Sequence, residues 1–355
     1  MITPFGLRHI WLLRELESAT VELDARTALL EEASAPLRDA LRGYFTRSRS
    51  RDFTYVLRAS DRAKTLRGFV QARAQCCAYP WVAQPAGPAW TVLRTAPVLE
   101  SSEDAATVWY RLLLHLCIAA GERRVQRLFA ALPEGSAAED VFRQTSFVLY
   151  GHEQVFCRAS ARGAGHLSSR IQPMKADSED CWNVRRLWHR ITPRSVLQAE
   201  DWENAQRSHW PGERPLPSAE QSYVLRSPGG EVWGCLHVLQ RPRGAWLRLL
   251  VHPEAADSVA EMLDHALGVL GEHGRPVYCA VREYEGGIQD SLAERGFAHV
   301  DTHSLLVKHT TVRVREPLRK LVPALEKRVE VAPTVSRSEV GDCPSFAETR
   351  TYSNT

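Results

Sequence analysis

The run AWLRLLV at residues 245–251 decides the fold, because it is apolar enough to form a buried strand and is followed at once by a turn at Pro253. Apolar residues at helical spacing come next, over 259–270. A second apolar run covers 276–281, and a second helical pattern covers 288–295. The order strand, turn, helix, strand, helix predicts an α/β (α+β layered) fold.

The composition is that of an ordinary globular protein. A chain of 355 residues has room for two domains, and 44% hydrophobic with 25% charged residues is typical of globular proteins. The formal net charge is only +3 and the two signs are interspersed, so we expect no nucleic-acid partner. The basic cluster at 47–51 is the local exception. We interpret it as a solvated loop, with a phosphate contact as the alternative.

Membrane, export and metal signals are weak throughout the sequence. No apolar run approaches the roughly 20 residues that a membrane span needs, so we expect no membrane partner. The first residues, MITPF, lack a basic segment followed by an apolar core, so we expect no secretory signal. The eight cysteines show no Cys-x-x-Cys spacing, and most lie in apolar runs. They predict free thiols, a cytoplasmic protein and no metal site.

The chain repeats one order of elements, which indicates an internal duplication. The corresponding segments are YVLR at 55–58 and again at 223–226, Gly68 and Gly234 in the strands that follow, WTVLR at 90–94 and WLRLL at 246–250, and FRQTSF at 142–147 and LAERGF at 292–297.

The duplication predicts two domains. We place the N-terminal domain at 1–158 and the C-terminal domain at 166–315. The small and flexible segment ASARGAG at 159–165 is the predicted linker. The tail at 316–355 is rich in charged residues, Pro, Ser and Thr, and we expect it to be largely disordered.

Two short segments carry a resemblance to a known family. VHPE at 251–254 ends the first strand of the unit, and AERGF at 293–297 ends its second helix. With the order of elements, they resemble the GNAT (N-acetyltransferase) superfamily over about 1–158 and 166–315. The resemblance implies two GNAT-like domains, each a mixed, mostly antiparallel sheet flanked by helices. We also predict a hairpin across Gly151 at the end of the first domain.

The resemblance implies a site for acetyl-CoA or another acyl-CoA between two parallel strands. These would be 245–251 with 276–282 in one domain, and 89–95 with 125–131 in the other. Backbone groups at the parted strands would pair with the pantetheine arm, and the next helix N-terminus would face the pyrophosphate. The residues implied to bind the cofactor are Leu249, Leu250, Val251, Ala255, Ala256, Asp257, Ser258 and Val259.

The sequence departs from the family pattern in both domains. The family loop Gln/Arg-x-x-Gly-x-Gly/Ala is replaced after Val251 by HPEAADSV, which has no glycine or arginine and carries carboxylates at Glu254 and Asp257. The family tyrosine that protonates the leaving thiolate is replaced by Phe142 in one domain and Leu292 in the other, which have no proton to give.

Three residues are candidates for the chemistry. Glu283 and Tyr284 follow the second strand of the unit, where an acceptor amine would lie, and they suit a general base and a general acid. His237 lies in a strand that would face the same gap. The simpler interpretation of each is structural, as a polar strand end for the pair and as hydrogen-bonded packing for the histidine.

The sequence therefore supports more than one function. By resemblance, the C-terminal domain would transfer an acyl group from acyl-CoA to the amine of a small molecule or peptide by direct attack. The alternative is a non-catalytic tandem scaffold or small-ligand-binding protein that has lost CoA chemistry. A third hypothesis is that one half binds CoA structurally while the other binds a partner. The sequence indicates neither the acceptor nor the oligomeric state.

Overall fold

In a computed structural model of the chain, the described residues are 1–30, 35–46, 52–58, 67–74, 89–163, 165–173, 178–200, 220–271 and 274–310. Met1–Val312 form one compact unit. The predicted tail and the basic cluster at 47–51 lie outside the described residues. We call residues 1–158 the N-terminal half and residues 166–310 the C-terminal half; the domain boundaries themselves stay a prediction.

The elements follow the predicted order in both halves. The strands of the N-terminal half are β1 (Ile2–Pro4), β2 (Val21–Glu22), β3 (Asp52–Arg58), β4 (Arg67–Ala74), β5 (Ala89–Ala96), β6 (Arg127–Pro133) and β7 (Val148–Arg158). Its helices are α1 (Ile10–Glu15), α2 (Ala25–Leu30), α3 (Ala35–Phe45), α4 (Ala105–Glu122) and α5 (Ala137–Gln144).

The C-terminal half repeats this series. Its strands are β8 (Ile171–Pro173), β9 (Glu220–Arg226), β10 (Val232–Arg241), β11 (Gly244–Val251), β12 (Val277–Arg282) and β13 (Ala298–His309). Its helices are α6 (Ser178–Ile191), α7 (Arg194–Glu200), α8 (Val259–Leu270) and α9 (Ile288–Glu294).

One continuous sheet joins the two halves. The strand order is β1-β3-β4-β5-β6-β13-β7-β12-β11-β10-β9-β8, with β2 beside β5. Of the described pairs, β5–β6 and β11–β12 are parallel and the others are antiparallel. The strand β13, the last one in the described residues, lies between β6 and β7, while β7 pairs with β12. Each half therefore contributes a strand that borders the other.

A long amphipathic helix covers one face of the sheet in each half. Val108, Leu112 and Leu116 of α4, spaced one turn apart, are buried against β3 to β6. In the C-terminal half α8 packs in the same way against β9 to β12. Each buried aliphatic side chain contributes about 1.5–3 kcal/mol. The helix α8 ends at Gly271, which has a φ of +56°.

On the other face of the sheet, a helix from each half covers strands of the other half. Leu30 of α2 packs on Trp246 and Ala280 of the C-terminal half. Ala199 of α7 packs on Phe129 of the N-terminal half. The two halves are thus interlocked by helices as well as by strands.

The strand register agrees with the predicted duplication. Gly68 lies opposite Leu57, and Gly234 lies opposite Leu225. Each glycine lies under the long helix of its half. A Cβ at Gly68 would lie 2.5 Å from a methyl of Val108 in α4, and one at Gly234 would lie 2.8 Å from a sulfur of α8. Both positions need glycine for the same reason of close packing.

The register corrects one detail of that comparison. Arg94 lies opposite Gln71, which is three residues after Gly68. Arg248 lies opposite His237, which is three residues after Gly234. Arg94 therefore corresponds to Arg248 and not to Leu250. Because β5 has a register shift at Leu93, no ungapped comparison can match the two strands throughout.

The predicted hairpin across Gly151 is wrong. Residues 148–158 form one strand, β7, which pairs with β13 along one edge and with β12 along the other. Gly151 lies within this strand, close to Glu283 and Val196. The glycine marks a close approach of neighbouring residues and not a turn.

Candidate functional site

The two parallel strands of the C-terminal half part at their carboxyl ends. Their ladder runs from Ala245–Val277 to Arg248–Ala280. Beyond it, residues 249–251 pair with β10, and the end of β12 pairs with β7. We call the gap between β11 and β12 beyond Arg248–Ala280 the C-terminal cleft. The implied cofactor-binding residues Leu249, Leu250 and Val251 lie at this cleft.

The N-terminal half has the same parting, but its own chain occupies it. The β5–β6 ladder ends at Thr91–Phe129. Beyond it, β2 pairs with the edge of β5, with Glu22 opposite Arg94, and Leu23 N–H donates to Leu93 O at 2.7 Å. The backbone groups that a pantetheine arm would use in this half are therefore bonded to residues 21–23.

A buried ion pair lies at the start of the C-terminal cleft. Arg248, which is 4% exposed, donates from Nη1 to Ala280 O and from Nη2 to Glu285 Oε1, both at 2.7 Å. The other oxygen of Glu285 accepts from Arg282 N–H at 2.9 Å. The Glu285 side chain is 4% exposed, and burial raises the pKa of its carboxyl, opposed by Arg248.

More charged residues lie against this pair. Arg282 Nε is 2.9 Å from Glu153, and its Nη2 is 3.4 Å from Glu200. The Tyr150 hydroxyl donates to Glu200 at 3.3 Å. We call Tyr150, Glu153, Glu200, Arg248, Arg282 and Glu285 the cleft cluster.

The cleft cluster is short of positive charge. It holds three carboxylates and two guanidinium groups, so full ionisation would leave one negative charge in excess. Burial raises the pKa of Glu200 above its ordinary value, and Arg282 and Arg248 oppose that rise. Burial and Glu200 raise the pKa of Tyr150 as well, so its hydroxyl stays protonated. The cluster therefore favours a proton on one of its carboxyl groups.

His237 lies beside the cluster as a neutral residue. It pairs in register with Arg248, so both side chains lie on the face of the sheet away from α8. Its Nδ1 lies 3.2 Å from Ser222 Oγ. Burial lowers the pKa of His237 to about 3. The imidazole is therefore uncharged near neutral pH.

Glu283 points away from this cluster. Its side chain is 52% exposed, and its Oε2 lies 2.9 Å from His152 Nδ1. His152 Nε2 lies 3.6 Å from Glu134. Tyr284 is half-buried. Burial raises the pKa of its hydroxyl, and Glu285 raises it further by a smaller amount. The structure thus brings His237 and Tyr284 near the cluster and leaves Glu283 at the surface.

Sequence reasoning missed Glu285, which is two residues beyond Glu283. The segment Glu283-Tyr284-Glu285 offered two carboxylates, and only the bend after β12 decides which one is buried. Gly286 and Gly287, directly after Glu285, were the available signal, because paired glycines mark a sharp turn of the chain.

The loop after β11 is a 3-10 helix, Pro253–Ser258, that leads directly into α8. Ala255 N–H bonds to His252 O, and Val259 N–H bonds to Ala256 O. Asp257 is exposed here, as is Glu254. The implied cofactor residues from Ala255 to Val259 therefore offer a phosphate one carboxylate, Asp257, and partly bonded N–H groups, with Glu254 directly before them.

Phe142 and Leu292, at the positions of the family tyrosine, are completely buried in the cores of their halves. Among the described residues no group of His, Cys, Asp and Glu could hold a metal ion. No helix in the described part of the chain is long and apolar enough to cross a membrane.

No family model matches the chain, and no curated protein matches it. Among solved structures, a GCN5-related N-acetyltransferase from Sphaerobacter thermophilus is 14% identical, with 87% of this chain and 95% of that chain covered and a TM-score of 0.47. A tandem GNAT protein from the clavulanic acid biosynthesis pathway is 13% identical, with 88% and 98% covered and a TM-score of 0.47. A GCN5-related N-acetyltransferase from Anabaena variabilis is 12% identical, with 88% and 73% covered and a TM-score of 0.43. These likenesses are low in identity and in superposition, so the GNAT-like fold rests on this chain's own strand order and its two parallel pairs.

Proposed function

We propose that the C-terminal half binds an acyl-CoA in the C-terminal cleft and transfers its acyl group to an amine. The observation that carries this proposal is the parting of β11 and β12 beside a buried, acid-rich cluster. His252 N–H donates to Trp233 O of β10. Because the backbone groups of successive residues in a strand point to opposite edges, the N–H and C=O of Val251 point into the cleft, where they can pair with the pantetheine arm.

The acceptor would be a small-molecule or peptide amine that enters as a cation. The excess carboxylate of the cleft cluster favours a positive charge. Glu200, or a water beside it, would take the proton from the amine, and the nitrogen would then attack the acyl carbon. As the carbon–sulfur bond breaks, the attacking nitrogen gives up its second proton and the leaving thiolate takes one up, with Tyr284 placed to relay it, while the proton taken by Glu200 passes to solvent. Because Glu200 belongs to the cleft cluster and is more buried than Glu283, it is the better candidate for the base.

The N-terminal half is not expected to bind a second acyl-CoA, because β2 occupies the matching edge of β5. We therefore propose one cofactor per chain. We propose that the acyl transfer takes place in the cytoplasm, where the five cysteines found free among the described residues would stay reduced.

Isothermal titration of the full chain with acetyl-CoA tests this proposal. The expected result is one site per chain, with CoA thiol released when an amine acceptor is added. An absence of heat at high micromolar acetyl-CoA would end the catalytic hypothesis. Two sites per chain would contradict the proposal that β2 keeps acyl-CoA from the edge of β5.

A non-catalytic scaffold or ligand-binding protein is the second candidate function. Arg248 already bonds to the Ala280 carbonyl that borders the cleft, and Glu254 and Asp257 stand where a polyanion would lie. Both features weaken a CoA site. Saturable binding of acetyl-CoA without turnover of any amine would favour this candidate.

A further inference from the structure

A groove lies between α6 and the ends of β10 and β11, outside the cleft cluster. Asn183, Arg186, Leu187 and Arg190 form one face of α6 and line one side of it. The other side is lined by residues 231–233 and His252. The groove is shallow and open to solvent along its mouth.

Two arginines give the groove its charge. Arg186 and Arg190 are one helical turn apart, and both are exposed. The Arg186 guanidinium lies 5.7 Å from the centre of the Trp182 ring, a cation–π contact. Within the described residues Arg190 has neither an ion pair nor a hydrogen bond. Glu231 lines the same groove with one negative charge, and the Glu254 carboxylate lies 3.9 Å from His252 Nδ1 at its far end.

His252 adds a hydrogen-bond donor at the end of the groove. The residue is 6% exposed, and its Nδ1 accepts from Glu254 N–H at 3.2 Å. Because Nδ1 acts as the acceptor, the proton of the neutral ring is on Nε2. The fixed ring thus presents an N–H group in addition to the two guanidinium groups.

The floor of the groove is apolar. Leu187 and Val232 are both buried and belong to one core cluster, and Trp233 stands beside them half-buried. A ligand here would place an anionic group against the arginines and a flat or apolar part against the floor.

From this arrangement we propose that the groove binds a phosphate-bearing ligand. Two planar guanidinium groups and one N–H match the oxygens of a phosphate. His252 directly follows Val251, so the groove lies next to the C-terminal cleft along β11. The phosphate belongs either to the adenosine end of CoA or to a separate ligand such as the acceptor.

The first experiment is calorimetric titration of the full chain with pyrophosphate at low ionic strength, without acyl-CoA. We expect saturable binding that weakens by about tenfold or more in R186Q/R190Q. R186K/R190K, which keeps the charges and loses the planar forks, should bind with intermediate affinity. The matched control R14Q/R111Q removes the same charge from exposed sites elsewhere and should bind like the wild type.

A lack of pyrophosphate binding at millimolar concentration, or equal binding by R186Q/R190Q and the wild type, would overturn the proposal. The second experiment repeats the pyrophosphate titration twice, once with adenosine 3′,5′-bisphosphate present and once with acetyl-CoA present. Competition would identify the phosphate as that of CoA, and independent binding would identify it as that of a separate ligand. Because pyrophosphate is titrated alone, failure of the acyltransferase proposal would not change this result.

Discussion

Arg94 and Arg248 occupy the same register position in the two halves, and each is buried against acidic residues where its strand leaves the parallel partner. Arg94 contacts Asp39 and Glu22 at 3.2 and 3.0 Å, and Arg248 contacts Glu285 at 2.7 Å. A buried arginine is costly unless it is paired. A paired, buried arginine lies where the parallel strands separate in both halves. The duplicated unit therefore places a charge network at this position, although the acids come from different elements.

The pair of Arg248 and Glu285 is expected to be critical for stability. Replacing Arg248→Met leaves the buried carboxylate of Glu285 without its main partner, and we expect a loss of about 3–5 kcal/mol in urea unfolding. Arg170→Met is the matched control, because Arg170 forms an exposed pair with Glu261, for which about 1 kcal/mol or less is expected. Equal losses in the two variants would contradict the assignment of Arg248 as a buried charge.

Glu200 predicts a dependence of stability on pH. Its folded pKa is raised, so the folded protein holds this proton to higher pH than the unfolded chain does. The stability that it contributes is complete below the unfolded pKa and is lost as pH rises through the folded pKa. Glu200→Gln should therefore gain stability relative to the wild type as pH rises from about 4.3. Urea unfolding across pH 4.5–8.5 measures this, with the exposed Glu103→Gln as control. A difference that stays constant with pH would contradict it.

His237 predicts a dependence of the opposite sign. Its pKa falls to about 3 on folding, so between that value and its ordinary 6.5 the unfolded chain binds a proton that the folded protein does not. Stability is therefore lost as pH falls below 6.5, by about 1.4 kcal/mol for each pH unit.

His237→Gln should remove this slope between pH 5 and 6.5 in unfolding measurements, while the exposed His299→Gln should keep it. A slope that is the same in both variants would show that another group is responsible.

The matched glycines predict graded effects of alanine. Gly68→Ala would place a methyl 2.6 Å from Ala96 O as well as against α4, and we expect a loss of about 1–3 kcal/mol. Gly234→Ala meets the flexible side chain of Met262 and should lose less. Gly121→Ala is the control, because nothing lies within 4 Å of its added methyl and alanine favours a helix by about 1 kcal/mol. Thermal unfolding of the three variants tests the order. A loss in Gly121→Ala as large as that in Gly68→Ala would contradict the packing argument.

Local pattern was enough for much of the fold. The apolar runs at 245–251 and 276–281 predict two buried strands, and the spacing over 259–270 predicts the helix between them. The repeated order of elements indicated the duplication, and the glycines at 68 and 234 were among its matched positions, because a position that lacks room for a Cβ requires glycine. These features depend on residues close together in the chain.

The sequence by itself determined the two copies of the strand–helix unit and the unusual loop after β11, and the family resemblance implied the parallel pair in each copy. Only the tertiary structure decided that β2 pairs with β5 beyond the β5–β6 ladder, that β13 lies between β6 and β7, and that Glu285, not Glu283, meets Arg248. The physical reason is distance along the chain. Glu22 and Arg94, or Glu153 and Arg282, come together through pairing of remote strands, and no local periodicity records such contacts.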